Sequence, residues 1–133
     1  MLKPWQKDQE GNFIYKSESY RIIGLCMEVH KNLGKGFLEI VYKDALEYEF
    51  NKAGIPFERE KEYLVNYKDV VLPHAFFADF VIYGKIILEV KGIKSLKDEH
   101  LAQTLNYLKV SHCRLGLLVN FGELSLGYKR VVL

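Results

Sequence analysis

A chain of 133 residues, 49% hydrophobic and 14% aromatic, is long enough to bury one core and too short for two ordinary domains. Its 19 basic and 17 acidic side chains give a formal charge of +2, which excludes a protein that grips nucleic acid mainly through a strongly basic surface but not nucleic acid as a partner. No apolar run approaches a membrane span, MLKPWQKDQEGNF lacks the pattern of a secretion signal, and the distant Cys26 and Cys113 suit reduced core thiols, so a soluble cytoplasmic protein is expected.

Residues 1–16 are expected to form an N-terminal arm whose Trp5, Phe13 and Tyr15 pack on the body or on another copy, and residues 17–133 a single domain. From Ser17 onward Ile22, Ile23, Cys26, Val29, His30 and Leu33 recur at threes and fours, giving one apolar face of a helix that Ser17 or Ser19 would cap. His30, on that face, suits a hydrogen-bonded core histidine better than a ligand. After NLGKG a second helix starts near Phe37, buries Leu38, Val41, Tyr42, Ala45, Leu46 and Phe50, and ends at KAGIP. The next segment, rich in Val, Ile, Phe and Tyr with turns at Lys68-Asp69, Pro73-His74 and Gly84, predicts three antiparallel strands. Helical spacing returns in SLKDEHLAQTLNYLKV, with Ser95 as cap and Leu101, Leu105 and Leu108 as its buried face, and RLGLLVNFG is a buried strand. This order predicts an α/β domain, a mixed sheet of about four to five strands flanked by helices.

Within the strand region, ADFVIYGKIILEVKG carries Asp79, Glu89 and Lys91 in an otherwise apolar run. A tight turn on Tyr83-Gly84-Lys85 sets Asp79 opposite Glu89, and strand alternation puts Lys91 on the face of Glu89. Opposed carboxylates repel, so they persist with a cation between them or a proton on one. Hard oxygen donors suit Mg²⁺ or Mn²⁺. The plainer alternative is an exposed sheet face bearing a salt bridge, and these three charges alone do not choose between the two. His100, Gln103 and Tyr107 share a polar helix edge, as Gly36, Glu39, Tyr42 and Lys43 share a face of the second helix.

GFLEIVY fits G-x-x-E-x-x-Y at Gly36, Glu39 and Tyr42, after EVHKNLGKG. With ADFVIYGKIILEVKG, HLAQTLNYLK and LGLLVNFG, the chain resembles the GxxExxY family, a compact branch of the PD-(D/E)XK nuclease superfamily, over about residues 17–122. The resemblance implies a restriction-endonuclease-like core. It carries the acidic position onto Asp79, the E-x-K element onto Glu89 and Lys91, the helix glutamate onto Glu39, and a Q-x-x-x-Y element onto Gln103 and Tyr107. Ala78 stands where the superfamily's name has proline.

By that resemblance Asp79, Glu89, the Val90 carbonyl and Glu39 would hold the metal, Lys91 would stabilise transition-state charge, and Gln103 would position water. Tyr42, His100 and Tyr107 would support the site or touch substrate. The expected function is a metal-dependent nuclease for DNA or RNA with little sequence specificity, in which Lys94, Lys97 and Lys109 could line a backbone path. A homodimer and a protein partner that supplies specificity remain open. The alternative is a catalytically silent nuclease-like module that binds nucleic acid or protein, and a weaker one is a phosphohydrolase for a small nucleotide, which needs an enclosed pocket.

Overall fold

The computed structural model describes residues 14–133, so Trp5 and Phe13 of the expected arm lie outside the described residues. In chain order the elements are α1 (Lys16–Leu33), α2 (Glu39–Ala53), β1 (Phe57–Tyr63), β2 (Asn66–Tyr67), β3 (Val70–Val71), β4 (Phe76–Ile82), β5 (Ile86–Lys91), α3 (Asp98–Ser111), β6 (Leu115–Asn120) and β7 (Gly127–Val132). β1, β4, β5, β6 and β7 form one sheet in that spatial order, while β2 and β3 make a separate small hairpin turning at Lys68-Asp69. Among the described strands only β5 and β6 pair in parallel, because α3 carries the chain back across the sheet between them. Among the described residues no helix is long and apolar enough to cross a membrane.

Side-chain alternation divides the core into two layers. Phe80, Ile82, Ile86, Leu88, Val90, Leu115, Leu117 and Val119 pack with Ile22, Cys26, Tyr42, Leu46 and Phe50 of α1 and α2. Val81, Ile87, Leu118 and Val131 pack with Leu101 and Leu108 of α3. The sheet is therefore buried on both faces, and all six residues of β6 are buried. Both cysteines are buried free thiols, and burial pushes the Cys26 thiol far above its ordinary range. Tyr15 packs against the body, with the Lys85 ammonium 4.3 Å from its ring centroid.

Three local expectations are corrected. α1 starts at Lys16 after Tyr15, which is left-handed at φ 51°, and no side chain caps it. Ser17 and Ser19 lie inside the helix, where the buried Ser19 hydroxyl instead accepts a hydrogen bond from Arg130 at 2.9 Å. Leu38 is not buried but 76% exposed at the entry to α2, because the helix begins at Glu39 and turns that residue outward. Ser95 does not cap α3: the helix starts after Lys97, whose N–H donates to Nδ1 of His100 at 3.0 Å. Sequence order alone cannot say which of several polar residues is in reach of the open backbone amides.

The loop after β5 is tied to the end of β6 by Asn120, which is fully buried. Its Oδ1 accepts from the N–H groups of Ile93 and Gly122, and its Nδ2 donates to the Ile93 carbonyl and to Glu123. Gly122 is required for close approach: a Cβ there would lie 2.1 Å from the Ile93 oxygen. Removing the amide leaves buried backbone groups of Ile93 unpaired, and adding a methyl pushes the two strands' ends apart. Asn120→Leu and Gly122→Ala are each expected to lower stability by about 2–4 kcal/mol in urea denaturation. Midpoints equal to that of the parent protein would show that this lock contributes nothing.

Candidate active site

The β4–β5 hairpin turns at 83–85 and pairs Ile82 with Ile86, Val81 with Ile87 and Phe80 with Leu88. Extending that register places Asp79 opposite Glu89, as the turn predicts. There the pairing changes character. The Asp79 N–H donates to Oε2 of Glu89 at 2.9 Å, and the Val90 N–H donates to Oδ2 of Asp79 at 2.8 Å. Each carboxylate thus satisfies a backbone amide of the other strand, and side chains replace the ladder where β4 and β5 part.

A break in alternation makes this geometry available. Phe80 and Ile82 face α1 and α2 while Val81 faces α3, yet Ala78 and Phe76 also pack on the α3 side. The alternation therefore switches at Asp79. On the neighbouring edge strand, the pairing of β1 with β4 skips Glu60 and Asp79, and Glu60 has a left-handed φ of 53°. Standing at this switch, Asp79 reaches β5 with one oxygen and α2 with the other. Its Oδ1 accepts from the Lys43 ammonium at 2.9 Å, and Lys43 also holds Glu60.

Glu89 is only 5% exposed. Burial above all, then the neighbouring charge of Asp79, pushes its carboxyl up to about 8, against the opposing pull of the Asp79 N–H and the ammonium groups of Lys91 and Lys43. Lys43 shows the complementary balance: burial disfavours its charge, but hydrogen bonds and charges from Glu60 and Asp79 outweigh that and hold it above the ordinary lysine value.

The other residues named from the sequence frame this pair. Glu39 is exposed at the start of α2, and its Oε2 accepts the Gly92 N–H at 2.9 Å, directly beyond Lys91. Tyr42 is fully buried; its hydroxyl donates to the Gly34 carbonyl and accepts from Phe37 N–H, and its ring stacks on Phe121 at 4.5 Å. It positions the loop that delivers Glu39. Tyr107 stacks on Phe76 at 3.8 Å, which in turn stacks on Tyr63. Burial first, then the charges of Glu89 and Asp79, raise the Tyr107 phenol, which places it within electrostatic reach of the pair. Gln103, one turn earlier on the same face of α3, is exposed, and His100 serves as the α3 cap described above. Lys94, Lys97 and Lys109 are exposed. His30 bonds the Glu123 carbonyl at 2.8 Å and stacks on Phe121, a structural histidine as expected.

Sequence reasoning left Lys43 and Glu60 out of the site. Lys43 carried a usable signal, since it lies one turn after Glu39 on the same helix face. Glu60 carried none: in FEREKEY its charge looks like any outward residue of an edge strand, and only the register of β1 sets it opposite Asp79.

Among the described residues no three His, Cys, Asp or Glu side chains are grouped to hold a metal ion. The donors that converge are the carboxylates of Asp79 and Glu89. The Val90 carbonyl joins them, because N–H and C=O of one strand residue point toward the same neighbour and the Val90 N–H points at Asp79. These are hard oxygens, held by backbone amides, and two forced-together carboxylates favour a cation; the set fits Mg²⁺ or Mn²⁺.

The model of the PD-(D/E)XK nuclease superfamily matches residues 16–131. Among solved structures, the crystal structure of SSO0001 is similar at a TM-score of 0.58 and 22% identity, over 89% of this chain and 59% of that one. That likeness concerns the fold, and the chain spans less than two thirds of that structure's length. No curated protein matches the chain.

The carboxyl of Glu89 makes metal-free stability depend on pH. Its folded value of about 8 exceeds its ordinary 4.5, so between those values the folded state binds more protons than the unfolded state. This contribution is complete below about pH 4.5 and is lost as pH rises through about 8. Chelator-treated protein is expected to lose on the order of 2–4 kcal/mol between pH 6 and 9 in denaturant titrations, and Glu89→Gln to remove most of that slope. A slope identical in the two proteins would contradict the assignment.

Proposed function

Since the chain belongs to the PD-(D/E)XK nuclease superfamily, we propose that it is a Mg²⁺- or Mn²⁺-dependent nuclease that hydrolyses phosphodiester bonds of DNA or RNA with little intrinsic sequence specificity. The observation that carries this reading is the reciprocal bonding of Asp79 and Glu89 across β4 and β5, with Lys91 two residues beyond. Asp79, Glu89 and the Val90 carbonyl would hold the cation, and Glu39 would complete its shell directly or through water. Bound there, a divalent cation supplies Lewis acidity toward phosphate and water.

The protein's own groups do the rest. Lys91 stabilises the negative charge that grows on the phosphoryl oxygens as the water oxygen bonds to phosphorus and the P–O bond to the leaving sugar breaks. Gln103 orients that water, whose proton passes to solvent while the leaving oxygen takes one up. Tyr107, fixed by its stack on Phe76, buttresses Gln103 or contacts the substrate. Tyr42 and His100 act at one remove, through the loop before α2 and the start of α3. With a net charge of +2 and no basic groove-reading helix among the described residues, target choice falls to nucleic-acid shape or to a protein partner, a second copy included.

A catalytically silent nuclease-like module is the second reading, favoured by one observation: the Asp79 carboxylate already carries the Lys43 ammonium. Cleavage decides between them. Purified protein incubated with single- and double-stranded DNA and RNA is expected to cut at least one substrate with Mg²⁺ or Mn²⁺ and to stop with chelator. Glu89→Ala and Lys91→Ala should each reduce the rate by about 10²-fold or more. Equal cutting by parent and variants would assign the activity to a contaminant and leave the binding module.

A further inference from the structure

The Lys43 ammonium sits where a cation is needed, and it is held there between two carboxylates. Its side chain is only 12% exposed, so its charge must be paired. On one side is Oδ1 of Asp79. The other Asp79 oxygen, Oδ2, accepts the Val90 N–H, so Oδ1 is the one held by a side chain rather than by the backbone. On the other side is Glu60, more exposed than Asp79 at 47% against 21%. Glu60 adopts φ 53°, a left-handed conformation that is strained for a non-glycine residue. That backbone choice puts its carboxylate on Lys43.

We propose that Lys43 is the resident counter-ion of the metal-free site, holding Asp79 until a divalent cation takes that carboxylate, and that Glu60 is where its ammonium withdraws. The identity of the cation rests on the nuclease reading above. Lys43 and the metal compete for one oxygen and repel each other, so the lysine weakens metal affinity while it keeps the carboxylate pair neutralised in the metal's absence. Glu60 lowers the cost of the exchange by keeping the ammonium paired after it leaves Asp79. Lys43 is thus a positioning residue of the site rather than a catalytic one.

The test is calorimetric titration of the full chain, stripped with chelator, with Mn²⁺. Lys43→Met is expected to bind Mn²⁺ about tenfold more tightly than the parent, because a charge-assisted hydrogen bond no longer competes. Lys43→Arg should bind as the parent does, and Glu60→Gln more weakly. Without metal Lys43→Met should melt below the parent, and saturating Mn²⁺ should narrow the gap. A merely structural lysine would lower melting under both conditions and leave affinity unchanged. Equal or weaker Mn²⁺ binding by Lys43→Met overturns the proposal; should that variant fail to fold, equal or tighter binding by Glu60→Gln does so. If the parent and every variant bind Mn²⁺ alike, this inference alone falls. If none binds it at millimolar concentration, the metal-dependent nuclease reading falls with it.

Discussion

Two carboxylates on adjacent strands, each bonded to a backbone amide of the other strand, are the constraint around which the rest of the molecule is arranged. Asp79 and Glu89 cannot part without leaving the amides of Asp79 and Val90 unpaired, and they cannot both ionise in a site this buried without a cation beside them. The protein meets both demands. It ends the regular β4–β5 ladder at Phe80 and Leu88, and it brings the ammonium of Lys43 from one side and the charge of Lys91 from the other.

Elements far apart in sequence converge because each is anchored by ordinary packing. The Tyr42 ring, buried against Phe121, ties down the loop ahead of α2, so that Glu39 meets Gly92 and, one turn later, Lys43 meets Asp79. On the opposite face, stacked Tyr63, Phe76 and Tyr107 fasten α3 to β1 and β4. Asn120 closes the end of β5 against β6 by bonding both backbone groups of Ile93. The polar centre is therefore held by apolar and amide contacts that are rigid without being reactive, which suits a site whose donors must not collapse on one another.

The order of helices and strands was legible because hydrophobic spacing is a local property. Ile22, Ile23, Cys26 and Val29 announce α1, and the unbroken apolar run of β6 announces a strand covered on both faces. The hairpin was legible for a further reason: with one flexible turn at Gly84 the register of β4 on β5 is a matter of counting, and it brings Asp79 to Glu89. Helix starts were less so. Ser17, Ser19 and Ser95 all have capping chemistry, yet α1 follows a left-handed Tyr15 and α3 is capped by His100, because competition among nearby donors and acceptors is settled by geometry.

What the chain's residues determined by themselves is the α/β class, the identity of its strands and helices, and the pairing of Asp79 with Glu89 beside Lys91, since each follows from periodicity and short-range counting. What only the tertiary structure decided is the company those carboxylates keep. Glu60 lies opposite Asp79 through the register of a strand 19 positions earlier in the chain, and Lys43 reaches both because α2 crosses that end of the sheet. Contacts between distant segments depend on how layers pack in three dimensions, and no local pattern of residues encodes that distance.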